Sequence, residues 1–271
     1  MTTLPLISQI TKDHAATWPP THLSLVLAAT TILVITLVRH LHSDWKLFKS
    51  LGPGGTPMTI RGYCRVKTLS FVALRDPYEE YPPSEFPDDT PGYISTVEKR
   101  NRPRPVTRGI APHRQMTQRA NAEQYQVLAE EISRMGTTNE RLELGTSCFE
   151  KHGTGLFSHS PVKRTCRGEV VHAHPSDGSM HATLHPRDAN IVLQAGWGER
   201  HPLARGGWFE KFVPGGFMMI YAPLDAEEME VVREIIEAAV WFVSGKKGVP
   251  ERTVDEENRR DSGYVSGAEP K

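Results

Sequence analysis

The chain has 271 residues, enough for one hydrophobic core of moderate size or two small ones. Its 32 basic and 32 acidic residues balance to a formal net charge of zero, which argues against nucleic acid as a partner because phosphate binding relies on a basic surplus. Hydrophobic residues make up only 38% of the sequence, so we expect part of the chain to be unstructured.

The first feature along the chain is an uncharged apolar run from Leu23 to Val38. Extended to 21–41, with Arg39 reaching toward the interface, it can cross most of a hydrocarbon core of roughly 30 Å. We therefore predict a single transmembrane anchor at 21–41, in contact with the lipid bilayer, after a disordered lumenal tail at 1–20. No small-x-small cleavage site follows the run, which disfavours a signal peptide.

The flanking charges and the cysteines predict on which side of the membrane the remaining chain lies. Arg39, Lys46 and Lys49 follow the run, which by the positive-inside rule favours a cytosolic domain, at the endoplasmic reticulum or another endomembrane. The three cysteines are odd in number and widely spaced, which predicts no disulfide framework and a reducing compartment.

Residues 42–243 are predicted to form one α+β domain, an antiparallel sheet with flanking helices. One helix is expected from about Pro112 to Met135, and a second from a cap at Asp225 to Val243. Short strand-like segments lie between them, at Leu142–Phe149, Gly168–His174, Met180–His185, Ile191–Gln194 and Phe217–Tyr221. The charged, Gly/Ser-rich residues 244–271 are predicted to be a disordered tail.

Four histidines fall within residues 172–185, at His172, His174, His181 and His185. Residues i and i+2 of a strand point to one face, so a hairpin with a turn at 175–178 would bring these imidazoles together. Their spacing leaves three interpretations open: a metal site, acid–base chemistry with Glu169 orienting a histidine, or a structural polar surface. The glutamate expected shortly after an H-x-H metal motif is absent.

The segment 194–208 places Trp197 between two glycines and then Arg200 and His201. Arginine supplies a fork of donors and tryptophan a flat apolar wall, so this segment could bind a planar, oxygen-rich anion. The alternative is a glycine-rich loop with a structural tryptophan.

At these residues the sequence resembles the fungal luciferase family. The resemblance rests on H-x-H with a further histidine, on GWGERHPLA (196–204), and on YAP before an acidic amphipathic helix. Three upstream segments are also similar to the family: GPGGTPMTIRGY (52–63), RPVTRGIAPHRQMTQ (104–118) and TSCFEKH (146–152).

The resemblance implies a membrane-associated oxygenase that adds O₂ to 3-hydroxyhispidin or a related pyrone or phenolic, through a cyclic peroxide that loses CO₂ and leaves an excited product. It implies no cofactor beyond O₂, while a metal ion at His172, His174 and His181 is not excluded. The positions that match the family are Glu150, His152, Glu169, His172, His174, His181, Arg200, His201 and Tyr221. We expect His172, His174, His181 and Glu169 to be catalytic. We expect Trp197, Arg200, His201, Tyr221, Glu150 and His152 to bind the substrate. His185 does not match and is expected to be structural.

Two other functions stay open for the same residues. One is a metal-dependent enzyme that uses the His172, His174 and His181 cluster. The other is a membrane-tethered protein that binds a small aromatic metabolite without turnover. The same imidazoles and arginine would serve all three functions, so the residues alone do not separate them.

Overall fold

The computed structural model describes residues 20–82 and 91–245. The predicted disordered tails at 1–20 and 244–271 therefore lie outside the described residues, apart from Pro20, Ser244 and Gly245. The chain divides into two units, Met1–Ser50 and Leu51–Lys271.

The described part of the first unit is one helix, α1 (Pro20–Ser50). It contains the apolar run, and the side chains from 21 to 40 are exposed along it. The segment Thr21–Ser50 is long and apolar enough to cross a membrane. Signal sequences share this length and composition, so membrane anchoring stays a prediction. The predicted end of the anchor, at residue 41, falls inside the helix.

The second unit is an α+β structure with antiparallel sheets, as predicted. Among its described residues, the main sheet has six strands in the order β3-β4-β5-β6-β8-β7, and β1 pairs with β2 in a separate ribbon. The strands are β1 (Thr107–Gly109), β2 (His113–Gln115), β3 (Leu142–Thr146), β4 (Thr154–Ser158), β5 (Glu169–Ala173), β6 (Met180–Thr183), β7 (Gly198–Arg200) and β8 (Phe217–Ile220). The helices are α2 (Ile60–Ser70), α3 (Ala122–Thr138), α4 (Pro186–Ala195) and α5 (Ala226–Ser244).

Alternation along the strands gives the main sheet two different faces. The row Val171, Ala182 and Met218, paired across β5, β6 and β8, joins the main hydrophobic core. The apolar stripes of α3 and α5 belong to the same core, at Leu128, Ile132, Val232 and Ile236 among others. The neighbouring row of the strands points to the opposite face.

Two secondary-structure predictions were wrong. The helix expected from Pro112 begins at Ala122, because residues 113–115 form β2 and Asn121 caps the helix in a reciprocal hydrogen bond pair with Gln124. The strand expected at Ile191–Gln194 lies in α4, which His185 caps and Pro186 begins.

The cysteines were expected to form no disulfide framework, but the structure joins Cys148 and Cys166 in one disulfide with a Cα–Cα distance of 5.6 Å. The two cysteines are 18 residues apart, but β4 folds back between them and returns the chain to the start of β5. Disulfides persist in oxidising compartments, so the cysteines no longer support a reducing one. Cys64 is free and exposed.

Candidate active site

A row of polar side chains crosses the middle of the sheet on the face opposite the main core. The strand register places Gly155, His172, His181, Met219 and Glu199 side by side on β4, β5, β6, β8 and β7. Side chains directly opposite each other point to the same face. Two imidazoles and a carboxylate therefore meet on one surface, although they come from three separate strands.

The structure brings together the three histidines that the sequence analysis named as catalytic. The ring centroids of His172 and His181 are 5.2 Å apart, and that of His174 lies 4.7 Å from His181 and 5.3 Å from His172. All three side chains are at least 97% buried. His185 is not part of this group; it caps α4 and packs against Trp241 and Phe242.

Glu150 reaches the same point from the loop between β3 and β4. Its Oε1 lies 3.8 Å from Nε2 of His174 and 4.0 Å from Nε2 of His172. Arg114 holds this carboxylate with both terminal nitrogens, at 3.2 and 2.5 Å. The glutamate that is missing after the H-x-H motif is thus supplied from 22 residues before His172.

Glu169 lies where the sequence analysis expected it, against His172. Its Oε1 is 2.7 Å from Nδ1 of His172 and also accepts a hydrogen bond from the hydroxyl of Ser147. Its Oε2 accepts from the backbone N–H of Cys148 at 2.6 Å. The carboxylate therefore links the loop that carries Glu150 to the ring of His172.

A second buried branch leads from His181 to Glu199 and was missed in the sequence. His113 on β2 lies between them, with Nδ1 3.3 Å from Nε2 of His181 and Nε2 3.0 Å from Oε1 of Glu199. Glu199 also accepts from the hydroxyls of Tyr221 and Thr107. Only the segments RPVTRGIAPHRQMTQ and GWGERHPLA, which contain His113 and Glu199, could have pointed to this branch.

Burial controls the protonation of these groups. Desolvation, followed by the positive charge of Arg114, lowers the pKa of His174 well below its ordinary value. Desolvation and the neighbouring His174 do the same to the pKa of His181. Burial alone would raise the pKa of Glu199, but hydrogen bonds from His113 and its other neighbours bring it below its usual range. The imidazoles of His174 and His181 are therefore neutral near pH 7.

Apolar side chains enclose the histidines on this face. The ring of Phe217 stacks on His181 with 4.9 Å between centroids, and Phe149 packs on Phe217 at 4.4 Å. Phe217 belongs to a second buried hydrophobic cluster with Ile110, Leu203, Ala204 and Val213, and the partly buried Phe149 packs against it. The polar groups of the site thus lie in surroundings that exclude water.

The residues expected to bind substrate do not form one group. The indole N–H of Trp197 donates to the carbonyl of Glu98, and the side chain lies in the main core. Arg200 donates to the carbonyls of Glu79 and Ala204. These two side chains have protein partners that account for their positions.

The remaining expected substrate-binding residues lie nearer the cluster. The ring centroid of His201 lies 5.3 Å from that of His181. Both ring nitrogens of His201 bond the backbone, however: Nε2 bonds the carbonyl of Ile110 and Nδ1 accepts from the N–H of Leu203. Tyr221 bonds Glu199, as described above. His152 is partly exposed, with Nε2 3.7 Å from Oε2 of Glu150.

Comparison with known proteins adds an independent observation. A family model described as a luciferase domain matches residues 167–239, which include His172, His174, His181 and Glu199. The chain is 30% identical over 247 residues to a luciferase of Armillaria mellea, covering 82% of this chain and 88% of that protein. It is 32% identical over 243 residues to a luciferase of Armillaria gallica (80% and 86%) and 30% identical over 226 residues to one of Neonothopanus nambi (74% and 80%). No solved structure matches the chain significantly.

Proposed function

Since the chain belongs to the fungal luciferase family, we propose that it is an oxygenase that adds O₂ to 3-hydroxyhispidin or to a related hydroxylated pyrone or phenolic, with emission of light. We propose that the reaction needs no organic cofactor and that the substrate reacts directly with O₂. The observation that carries this proposal is the buried cluster of His172, His174, His181 and Glu150.

The chemistry of the cluster suits an enolic substrate. A hydroxypyrone is acidic and electron-rich, and the imidazole of His172 or His174 can accept its enol proton. The anion passes one electron to O₂, and the two radicals combine into a peroxide that cyclises and loses CO₂. The apolar surroundings at Phe149 and Phe217 protect the peroxide from water.

The direct test mixes the purified chain with 3-hydroxyhispidin in air and records light, O₂ uptake and the product mass. We expect O₂ consumption and a product that has gained O₂ and lost CO₂. Hispidin, which lacks the 3-hydroxyl group, is the matched control and should leave O₂ unchanged. Tight binding of 3-hydroxyhispidin without O₂ uptake would instead support a binding protein without turnover.

We also propose that α1 anchors the protein in an endomembrane with the second unit in the cytosol. The apolar length of the helix and the basic residues after the run support this orientation, whereas the Cys148–Cys166 disulfide supports the lumenal side. Alkaline extraction of membranes should leave the chain in the pellet. Protease added to sealed microsomes without detergent should digest the second unit. Protection from the protease would indicate that the second unit lies on the lumenal side.

A further inference from the structure

We propose that His172, His174, His181 and Glu150 bind one divalent first-row transition-metal ion, such as Zn²⁺ or Fe²⁺. The site rests on distances, hydrogen bonds and burial. It rests on the proposed function only for the purpose of the ion. With their lone pairs on the ion, His172 and His174 would not accept the enol proton, and the charge of the ion would instead stabilise the enol anion.

The distances between the candidate ligand atoms fit a shared ion. One ligand atom from each of the four residues lies within 4.8 Å of all the others. Nδ1 of His181 is 3.2 Å from Nε2 of His172, and Oε1 of Glu150 is 3.8 Å from Nε2 of His174. Ligands held about 2.1 Å from a tetrahedral ion stand roughly 3.4 Å from one another. Small side-chain shifts would therefore complete the coordination.

In each imidazole, the ring nitrogen that does not face the shared point forms a hydrogen bond with another side chain. Nδ1 of His172 bonds Glu169, and Nδ1 of His174 bonds the hydroxyl of Ser179 at 2.9 Å. Nε2 of His181 bonds His113, which Glu199 holds in turn. Metal-binding histidines almost always have such partners, which fix the ring and its tautomer.

These partners determine which nitrogens carry protons. The carboxylate of Glu169 can only accept, so His172 donates from Nδ1 and has a lone pair at Nε2. The hydroxyl hydrogen of Ser179 goes to Asp177, so His174 also donates from Nδ1 and has a lone pair at Nε2.

The position of the proton on the third imidazole, His181, follows from its partners in the same way. His113 donates from Nε2 to Glu199, so with a single ring proton it accepts at Nδ1 from Nε2 of His181. This leaves a lone pair at Nδ1 of His181. Three imidazole lone pairs and one carboxylate oxygen then face the same buried point.

One added proton would not give all three imidazole lone pairs a hydrogen-bond partner. It could bridge His181 and His172, but Nε2 of His174 would still have no hydrogen-bond partner although its residue is 99% buried. Buried polar atoms without partners are rare in native proteins. One divalent ion would serve all four groups.

Charge and ligand type support a divalent ion of this class. Arg114 balances Glu150, but in the described residues 20–82 and 91–245 neither Glu169 nor Glu199 has an ion pair with a lysine or arginine. Two positive charges at the shared point would balance these two buried carboxylates. Three imidazoles with one carboxylate favour Zn²⁺, Fe²⁺ or Cu²⁺ over Mg²⁺ and Ca²⁺.

A neighbouring group of histidines does not form a competing site. His113, His181 and His201 also lie close together. Both ring nitrogens of His201 are engaged by backbone groups, however, so it has no lone pair to offer without losing a hydrogen bond.

The test strips the purified full-length chain with a chelator and titrates it with Co²⁺, followed by visible absorption, and with Zn²⁺, followed by calorimetry. We expect one ion per chain. His174→Ala and Glu150→Gln should each weaken the affinity at least 10-fold, because the first removes a ligand and the second removes the negative charge of one. His185→Asn is the control and should bind like the wild type, since asparagine keeps the helix cap and only the imidazole outside the cluster is lost. Circular dichroism verifies that each variant is folded, and elemental analysis of the untreated protein gives a readout that needs no variant.

The outcomes separate this proposal from the proposed function. Absence of saturable binding, or wild-type affinity in both ligand variants, overturns the metal site. Full light emission from chelator-treated chain without bound metal also overturns it and leaves the proposed function intact. One bound ion per chain without O₂ uptake supports the metal site and counts against the proposed function.

Discussion

Among the single residues of the candidate site, Glu169 contacts both the loop before β4 and a histidine of β5. Its two oxygens accept from the Ser147 hydroxyl, the Cys148 N–H and Nδ1 of His172, so one side chain fixes both a loop and a histidine ring. Its 98% burial means that water does not replace any of these donors. Such a group affects both the stability of the fold and the geometry of the site.

Glu169→Gln should therefore lower the rate of O₂ uptake with 3-hydroxyhispidin by about 10- to 100-fold, as loss of a partner behind a site histidine typically does. It should also lower the free energy of unfolding by about 1–3 kcal/mol, because the amide brings donors where only acceptors fit. Glu143→Gln is the control, since Glu143 is an exposed carboxylate on β3. If both variants behave alike, Glu169 has no special role.

Asp188, which lies outside the candidate site, should make the stability of the fold depend on pH. Its carboxylate accepts from the N–H groups of Tyr93 and Ile94, but burial, with a further contribution from Glu234, raises its pKa from 3.8 to about 6. The folded state thus binds this proton more tightly than the unfolded state. The resulting stabilisation is complete below about pH 4 and is lost as the pH rises to about 6, by up to about 3 kcal/mol.

Asp188→Asn cannot ionise and should lack this component. Urea denaturation of both proteins between pH 4 and 7 should show that the wild type loses stability relative to the variant over this range. Parallel pH profiles for the two proteins would contradict the raised pKa.

At the scale of secondary structure, the β5–β6 hairpin was predictable because its information is local. Period-two alternation and the turn composition at 175–178 correctly placed His172, His174 and His181 together. His185 is excluded because β6 ends at Thr183 and α4 begins at Pro186. Glu150, His113 and Glu199 could not be found by periodicity, since each comes from a different segment and only the tertiary fold brings them to the row.

Gly178 tests how much the site depends on this hairpin. Its φ is +75°, and an added Cβ would contact the Cβ of Ala120. Gly153 has a similar φ of +69° with no atom within 4 Å of an added Cβ, so Gly153→Ala measures the backbone cost alone, about 1–2 kcal/mol.

Gly178→Ala should lower the free energy of unfolding by more than Gly153→Ala and should also slow O₂ uptake, because the contact displaces the turn that follows His174. Equilibrium urea unfolding and oxygen-electrode rates measure the two effects. Equal losses in the two variants would show that Ala120 moves away freely and that the hairpin tolerates the change.

For the whole molecule, the Cys148–Cys166 disulfide and α1 bear on where the protein works. The disulfide joins two cysteines that are 18 positions apart in the sequence and lie beside the site. The N–H of Cys148 donates a hydrogen bond to Glu169. The sequence could not predict this bond, because wide cysteine spacing carries no information about pairing until the path of β4 is known. The apolar run, by contrast, was evident from composition alone.

Replacing both cysteines, as in C148S/C166S, should lower the free energy of unfolding by about 3 kcal/mol, the loop-closure value for this separation. Cys64→Ser should have no effect, since Cys64 is exposed and free. Thiol counting by mass spectrometry under non-reducing conditions should find one free thiol in the native chain. Three free thiols would contradict the disulfide and would agree with the cytosolic side proposed for the second unit.

The central claim is that the buried histidine cluster carries out oxygenation. O₂ uptake with 3-hydroxyhispidin, compared among the wild type, His174→Ala and His185→Asn, tests it most directly. We expect uptake by the wild type, a loss of at least about 100-fold in His174→Ala, as for removal of a group that handles the proton or charge of the reaction, and a rate within about twofold of wild type in His185→Asn. Absence of uptake by the wild type, or a folded His174→Ala variant with the wild-type rate, would contradict the account.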